Sequence, residues 1–206
     1  MIVKAIESRG FSSNCYLAIC EETRDAAVID PGLDASAVLR AVQQEKVNLK
    51  YIINTHGHVD HMAANAAVKN ETGADILIHE DDAGMLTNVM SNLSMFMGME
   101  IRSPAASRKL KDGDTIQIGT TVELKVIHTP GHTPGGICLL CGKTLFSGDT
   151  LFQQSIGRTD FPGGSLKTLL NSIRTRLLVL PDDTVVYSGH MPETTIGFER
   201  DHNPFL

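Results

Sequence analysis

Apolar positions along the chain fall in short runs separated by turn residues. Residues 2–6, 15–20 and 26–29 are rich in apolar and β-branched side chains and predict strands. Asp30-Pro31-Gly32 then turns the chain. Over residues 35–46 the period changes. Val38, Leu39 and Val42 share one face, and Asp34 or Ser36 stands near the start, which predicts an amphipathic helix. Residues 49–55 form another β-favouring run, and an Ala-rich helical stretch over 62–69 stops near Gly73. Residues 74–79 predict the next strand. Residues 110–118 contain Asp112-Gly113-Asp114 and read as a strand pair joined by a turn. Residues 121–127 alternate, 136–142 read as a strand closing into a turn, and 166–178 form the last clear helix. Pro181-Asp182-Asp183 returns the chain to a final strand over 184–187. Meanders interleaved with helices fit two packed sheets with helices outside, and do not fit a purely parallel doubly wound sheet.

The strand ends carry the chemistry. The run 49–55 ends at His56-Gly57-His58-Val59-Asp60-His61, three imidazoles and a carboxylate within six positions. Packing does not explain this cluster, because burying each polar group unpaired costs roughly 2–7 kcal/mol. Imidazole nitrogen and carboxylate oxygen are ligands for borderline cations. Three further strands end the same way, in Gly131-His132, Gly148-Asp149 and Gly189-His190. Four such ends predict one rim of one sheet assembly, offering His56, His58, Asp60, His61, His132, Asp149 and His190. Seven ligands exceed one tetrahedral ion and suit two ions sharing a ligand. Asp149 is the isolated carboxylate and is expected to bridge. Two ions at roughly 3.5–4 Å can hold a hydroxide between them. The set has no Cys, which favours an open catalytic site over a closed structural one.

Composition narrows the setting. A chain of 206 residues suits one domain with a large core. A net charge of −6 and a pI near 5.7, without aromatic–basic interleaving, exclude a general affinity for nucleic acid. No secretory signal or membrane-length apolar run is read, so a cytoplasmic location is expected. Cys15, Cys20, Cys138 and Cys141 are expected as free thiols, although Cys138 and Cys141 have C-x-x-C spacing. Residues 85–99 hold Met85, Met90, Met95, Met97 and Met99 around Leu93 and Phe96. A core helix is expected there, with a pliant apolar wall or lid as the alternative. His79, His128 and His202 are expected to lie outside the ligand set.

The motif His56-x-His58-x-Asp60-His61, followed in order by His132, Asp149 and His190, resembles the metallo-β-lactamase superfamily. Ser147–Phe152, the Gly157-Arg158-Thr159-Asp160-Phe161 segment and Thr194–Glu199 are similar to those of small glyoxalase II-like hydrolases. The resemblance implies an αββα sandwich with metals at one edge, as a single domain over 1–206 without a C-terminal helical glutathione-binding domain. It implies two divalent ions, zinc first, with iron or manganese as substitutes. His56, His58 and His132 would hold one ion, and Asp60, His61 and His190 the other. The implied activity is hydrolysis of a small-molecule thioester such as S-lactoylglutathione, with Arg158 binding a carboxylate of the thiol carrier. Met191 stands where such enzymes commonly carry Gly. Rival readings are a persulfide dioxygenase with a single iron, a lactonase or other ester hydrolase, and a non-enzymatic metal-binding protein.

Overall fold

A computed structural model describes residues 1–7 and 13–206. The first sheet contains β1 (Ile2–Ile6), β2 (Cys15–Ile19), β3 (Asp25–Ile29), β4 (Asn48–Ile53), β5 (Asp75–His79) and β6 (Arg108–Leu110), in that order. It begins antiparallel and becomes parallel from β3 onward. The second sheet takes β7 (Thr115–Ile118), β8 (Val122–His128), β9 (Ile137–Cys141), β10 (Thr144–Gly148), β13 (Val185–Ser188) and β14 (Thr194–Thr195), in the order β14-β13-β10-β9-β8-β7. A small hairpin, β11 (Leu151–Phe152) with β12 (Ser155–Ile156), follows β10. The helices are α1 (Ala35–Glu45), α2 (Val59–Met62), α3 (Asn65–Thr72), α4 (Leu166–Ser172) and α5 (Ile196–His202).

The two-residue period of the strands explains the layers. In β2, Tyr16 and Ala18 face the second sheet, where they join Ile116, Val126, Leu139 and Phe146. Leu17 and Ile19 point the other way, into a core with Val38 of α1 and Val68 of α3. On the far side of the second sheet, Leu145 and Val186 meet Leu169 of α4 and Ile196 of α5. Both faces of both sheets are covered, which gives the αββα sandwich. That is why the strands read as nearly continuous apolar runs.

Four expectations need correction. Residues 110–118 do not form a strand pair. β6 pairs with β5 in the first sheet and β7 with β8 in the second, so the turn between them carries the chain across the sandwich. The Ala-rich stretch is interrupted at Ala63 and Ala64. Gly32 intrudes there: its N–H donates to the His61 carbonyl at 3.1 Å, and its carbonyl accepts the Ala64 N–H at 2.8 Å. Residues 85–99 are not a core helix. They form two 3-10 turns, Met85–Thr87 and Ser94–Met97, with Leu86 buried and Phe96 70% exposed. The side chains of Asn88 and Asn92 accept nearby backbone N–H groups, competing with helical bonding. The last predicted helix also changes character, because α4 passes into a π-helical turn over Ile173–Leu177.

The start of α1 is set by Asp34, whose carboxylate accepts the Ala37 N–H at 2.9 Å. Asp34→Ala is expected to destabilise the protein by about 1 kcal/mol. The check is a lowered urea midpoint with an unchanged m-value.

Candidate metal centre

Each ligand sits just past a strand. β4 leads to His56, His58, Asp60 and His61, β8 to His132, β10 to Asp149 and β13 to His190. The rim brings all seven together. His58 Nδ1 lies 2.9 Å from His132 Nε2, which is 3.3 Å from His56 Nε2. A second group contains Asp60, His61 and His190, with His190 Nε2 3.3 Å from Asp60 Oδ2. Asp149 lies between the groups. Its Oδ1 is 3.3 Å from His61 Nε2, and its Oδ2 is 3.5 Å from His132 Nε2 and 3.6 Å from His190 Nε2.

The surroundings aim these atoms. His132 Nδ1 donates to the Arg158 carbonyl at 2.7 Å, leaving Nε2 free to face the group. His61 Nδ1 meets Asp30 Oδ2 at 3.0 Å, which turns its Nε2 toward Asp149. Asp30 is itself held by the Thr55 N–H at 2.8 Å and the Thr55 hydroxyl at 2.6 Å. Buried Asp82 ties two ligand loops together, accepting the N–H of Gly57 at 3.2 Å and of Gly135 at 2.7 Å.

Burial, reinforced by neighbouring imidazoles, holds His56 well below the usual histidine range and takes His58 down to about 3. Both rings are therefore neutral at neutral pH and offer lone pairs. For Asp60 and Asp149, burial acts upward, but the facing histidines outweigh it and leave both carboxyls below their ordinary range. His61 Nε2 and Asp149 Oδ1 are buried and face each other at 3.3 Å without a well-aligned hydrogen bond to one another or to any other described group. Such orphaned atoms are costly unless a cation occupies the space they face. The donors are nitrogen and oxygen only, which suits divalent zinc, iron or manganese. The residues present thus fit two divalent ions, one at each group, with Asp149 within reach of both.

Sequence reasoning missed Asp30 and Asp82. Asp30 does follow a strand and precede a Pro-Gly turn, but it lacks the glycine that comes before the other single rim residues. Asp82 carries no spacing signal, because its partners are backbone groups distant in sequence. Arg158 lines the cavity beside the metal groups, but its guanidinium is occupied by Asp160, with Nε and Nη2 donating at 2.7 and 2.6 Å. His79 and His128 stack at 4.1 Å and, with Asp81, form a separate group of potential donors. His202 stacks on Phe198.

Seven donors on the loops at one rim of an αββα sandwich define a class of metal-dependent proteins. The metallo-β-lactamase superfamily model matches residues 8–190. The chain is 38% identical to the hydroxyacylglutathione hydrolase GloC of Haemophilus influenzae, over all of this chain and 98% of that protein. It is similar to the B3 metallo-β-lactamase BLEG-1, with a TM-score of 0.93 and 39% identity, covering 100% of this chain and 99% of the other. It is also similar to TTHA1623 in a di-iron-bound form, with a TM-score of 0.88 and 33% identity over 98% of this chain and 100% of that one. The chain belongs to the metallo-β-lactamase superfamily, as a metallo-hydrolase with His/Asp sites for divalent metals.

Gly189 makes the close approach possible. A Cβ there would stand 2.2 Å from Asp149 Oδ1 and 2.8 Å from His61 Cε1. Gly189→Ala is expected to push Asp149 aside and weaken metal binding at least about tenfold. Chelator competition measures this, and unchanged affinity would show that the rim yields without cost.

Proposed function

We propose that the chain hydrolyses thioesters, with S-2-hydroxyacylglutathiones such as S-lactoylglutathione among its substrates. The observation that carries this is the pair of donor groups meeting at Asp149, beside a cavity whose described lining residues offer no separate proton donor. When bound, two divalent ions would supply Lewis acidity and lower the pKa of water toward about 7. Outside the metal donors, the described residues lining the cavity include only Ser155 and Arg158 with polar side chains. No residue there is suited to protonate an amine or alkoxide. A thiol has a pKa of about 8.5 and leaves as thiolate without such help. Water oxygen joins the acyl carbon, the carbon–sulfur bond breaks, and the products are a carboxylic acid and a free thiol. The chain's part is positional. Asp30 and the Arg158 carbonyl fix the tautomers of His61 and His132, and Asp82 holds the His58 and His132 loops in register. The four free cysteines suit a cytoplasmic setting, where thiols stay reduced.

The protein loaded with zinc is expected to carry about two equivalents and to release thiol from S-lactoylglutathione; chelation should abolish both. Asp60→Ala should keep the fold, drop to about one equivalent and lose at least about a hundredfold in kcat/KM. Oxygen uptake with glutathione persulfide, one iron per chain and inert thioesters would replace this reading with a dioxygenase. Turnover confined to lactones or β-lactams would keep the hydrolase and reject the thioester.

A further inference from the structure

The cavity at the metal groups has a volume of about 700 Å³. Its wall includes Leu93, Phe96, Met97, Phe152, Phe161 and Met191. The apolar surface begins at the ligands themselves. Phe161 packs edge-on to His58 at 5.7 Å and Phe152 edge-on to His190 at 5.9 Å, one on each donor group. Farther out, Phe96, Met97 and Met191 are 70%, 50% and 53% exposed. Large apolar side chains left in water around a cavity mark a binding surface.

Among the described residues, the cation at the mouth already has an anionic partner. Among the described residues lining the cavity, Arg158 is the only Lys or Arg. Its Nε and Nη2 donate to Asp160, and its Cζ lies 3.9 Å above the Phe161 ring. A carboxylate of a thiol carrier would compete with a partner only two residues away. An apolar group displaces nothing but water.

We infer that this wall receives an apolar arm attached directly to the reacting carbonyl, so that thioesters with longer apolar acyl groups are preferred to short polar ones. The inference rests on the thioesterase reading and refines it. Placement favours the acyl side over the thiol side. An unsubstituted acyl chain is apolar from its α-carbon outward, and a 2-hydroxyacyl chain from its β-carbon, while the wall starts at the metal ligands. Peptide-like thiol carriers present amides within a few bonds of sulfur. The thioethers of Met97 and Met191 adapt to chains of varied shape.

The test uses acetyl, butyryl and hexanoyl thioesters of N-acetylcysteamine, a small neutral carrier, with the metal-loaded enzyme. Each buried methylene is worth about threefold to fourfold in full burial. On this half-open wall, kcat/KM should rise at least about tenfold from acetyl to hexanoyl. The double variant Phe96→Ser, Met97→Ser changes exposed positions. With metal content and melting temperature matching wild type, its hexanoyl-to-acetyl ratio should fall about fivefold. A flat series, or a ratio unmoved by the variant, overturns the inference while leaving thioester hydrolysis standing. Absence of all thioester turnover overturns the thioesterase reading instead. Calorimetry with octanohydroxamate and acetohydroxamate then decides the wall independently of turnover. Tighter binding of the octanoyl compound by about tenfold supports the apolar arm, and equal affinities overturn it.

Discussion

The nearly buried carboxylate of Asp149 is the constraint on which the rim depends. Its side chain is 10% exposed and faces His61, His132 and His190. An anion so placed is tolerable only with positive charge beside it. In the protein alone that charge falls partly on histidine. His61 is pushed up from its usual range: burial opposes this, but Asp149, Asp60 and Asp30 prevail. The His190 pKa also rises, chiefly through its hydrogen bond to Asp60. Two divalent cations would replace those protons and face the same carboxylates. The rim is therefore arranged for cation binding, and metal loading should release protons rather than create a new arrangement.

Four loops must meet within a few ångströms for this to work, and backbone bulk limits how closely they approach. Gly148 has φ +49 and packs where a Cβ would strike Thr55, while Gly189 lies against Asp149. Thr55 in turn hydrogen-bonds Asp30, which orients His61. The glycines, the orienting carboxylates and the ligands thus form one packed unit. A fault in the supporting residues would be felt at the ligands, although those residues do not face the cavity themselves.

Much of this was legible because it is local. Alternation in β2 and β8 reveals strands, and the repeated strand–glycine–ligand pattern reveals a rim. What stayed hidden depends on distant partners. The 110–118 segment has the pattern of a hairpin, yet the neighbours available to each strand send β6 and β7 to different sheets. The helix break at Ala63–Ala64 follows from Gly32, which lies about thirty residues upstream. The role of Asp82 rests on backbone N–H groups, which have no sequence signature. Arg158 shows the same limit. Its type and place suggest a carboxylate ligand, but Asp160 takes Nε and Nη2 and Phe161 the face.

The site therefore joins two kinds of construction. The metal rim is stiff, because its donors sit at or just past strand ends and two of them, His61 and His132, are aimed by Asp30 and the Arg158 carbonyl. The mouth is built from short turns instead. Leu93 adopts φ +69 and Gly98 closes the second 3-10 turn at φ +71, so the segment between them projects Phe96 and Met97 without a helix to fix them. Few buried contacts hold these side chains, which places them among the easily rearranged parts of the fold. Catalytic atoms need fixed positions, whereas an apolar arm needs only contact area. A stiff donor set beneath a pliant apolar mouth separates the two demands: the rim can conserve the reaction while the turns at 85–99 vary what reaches it.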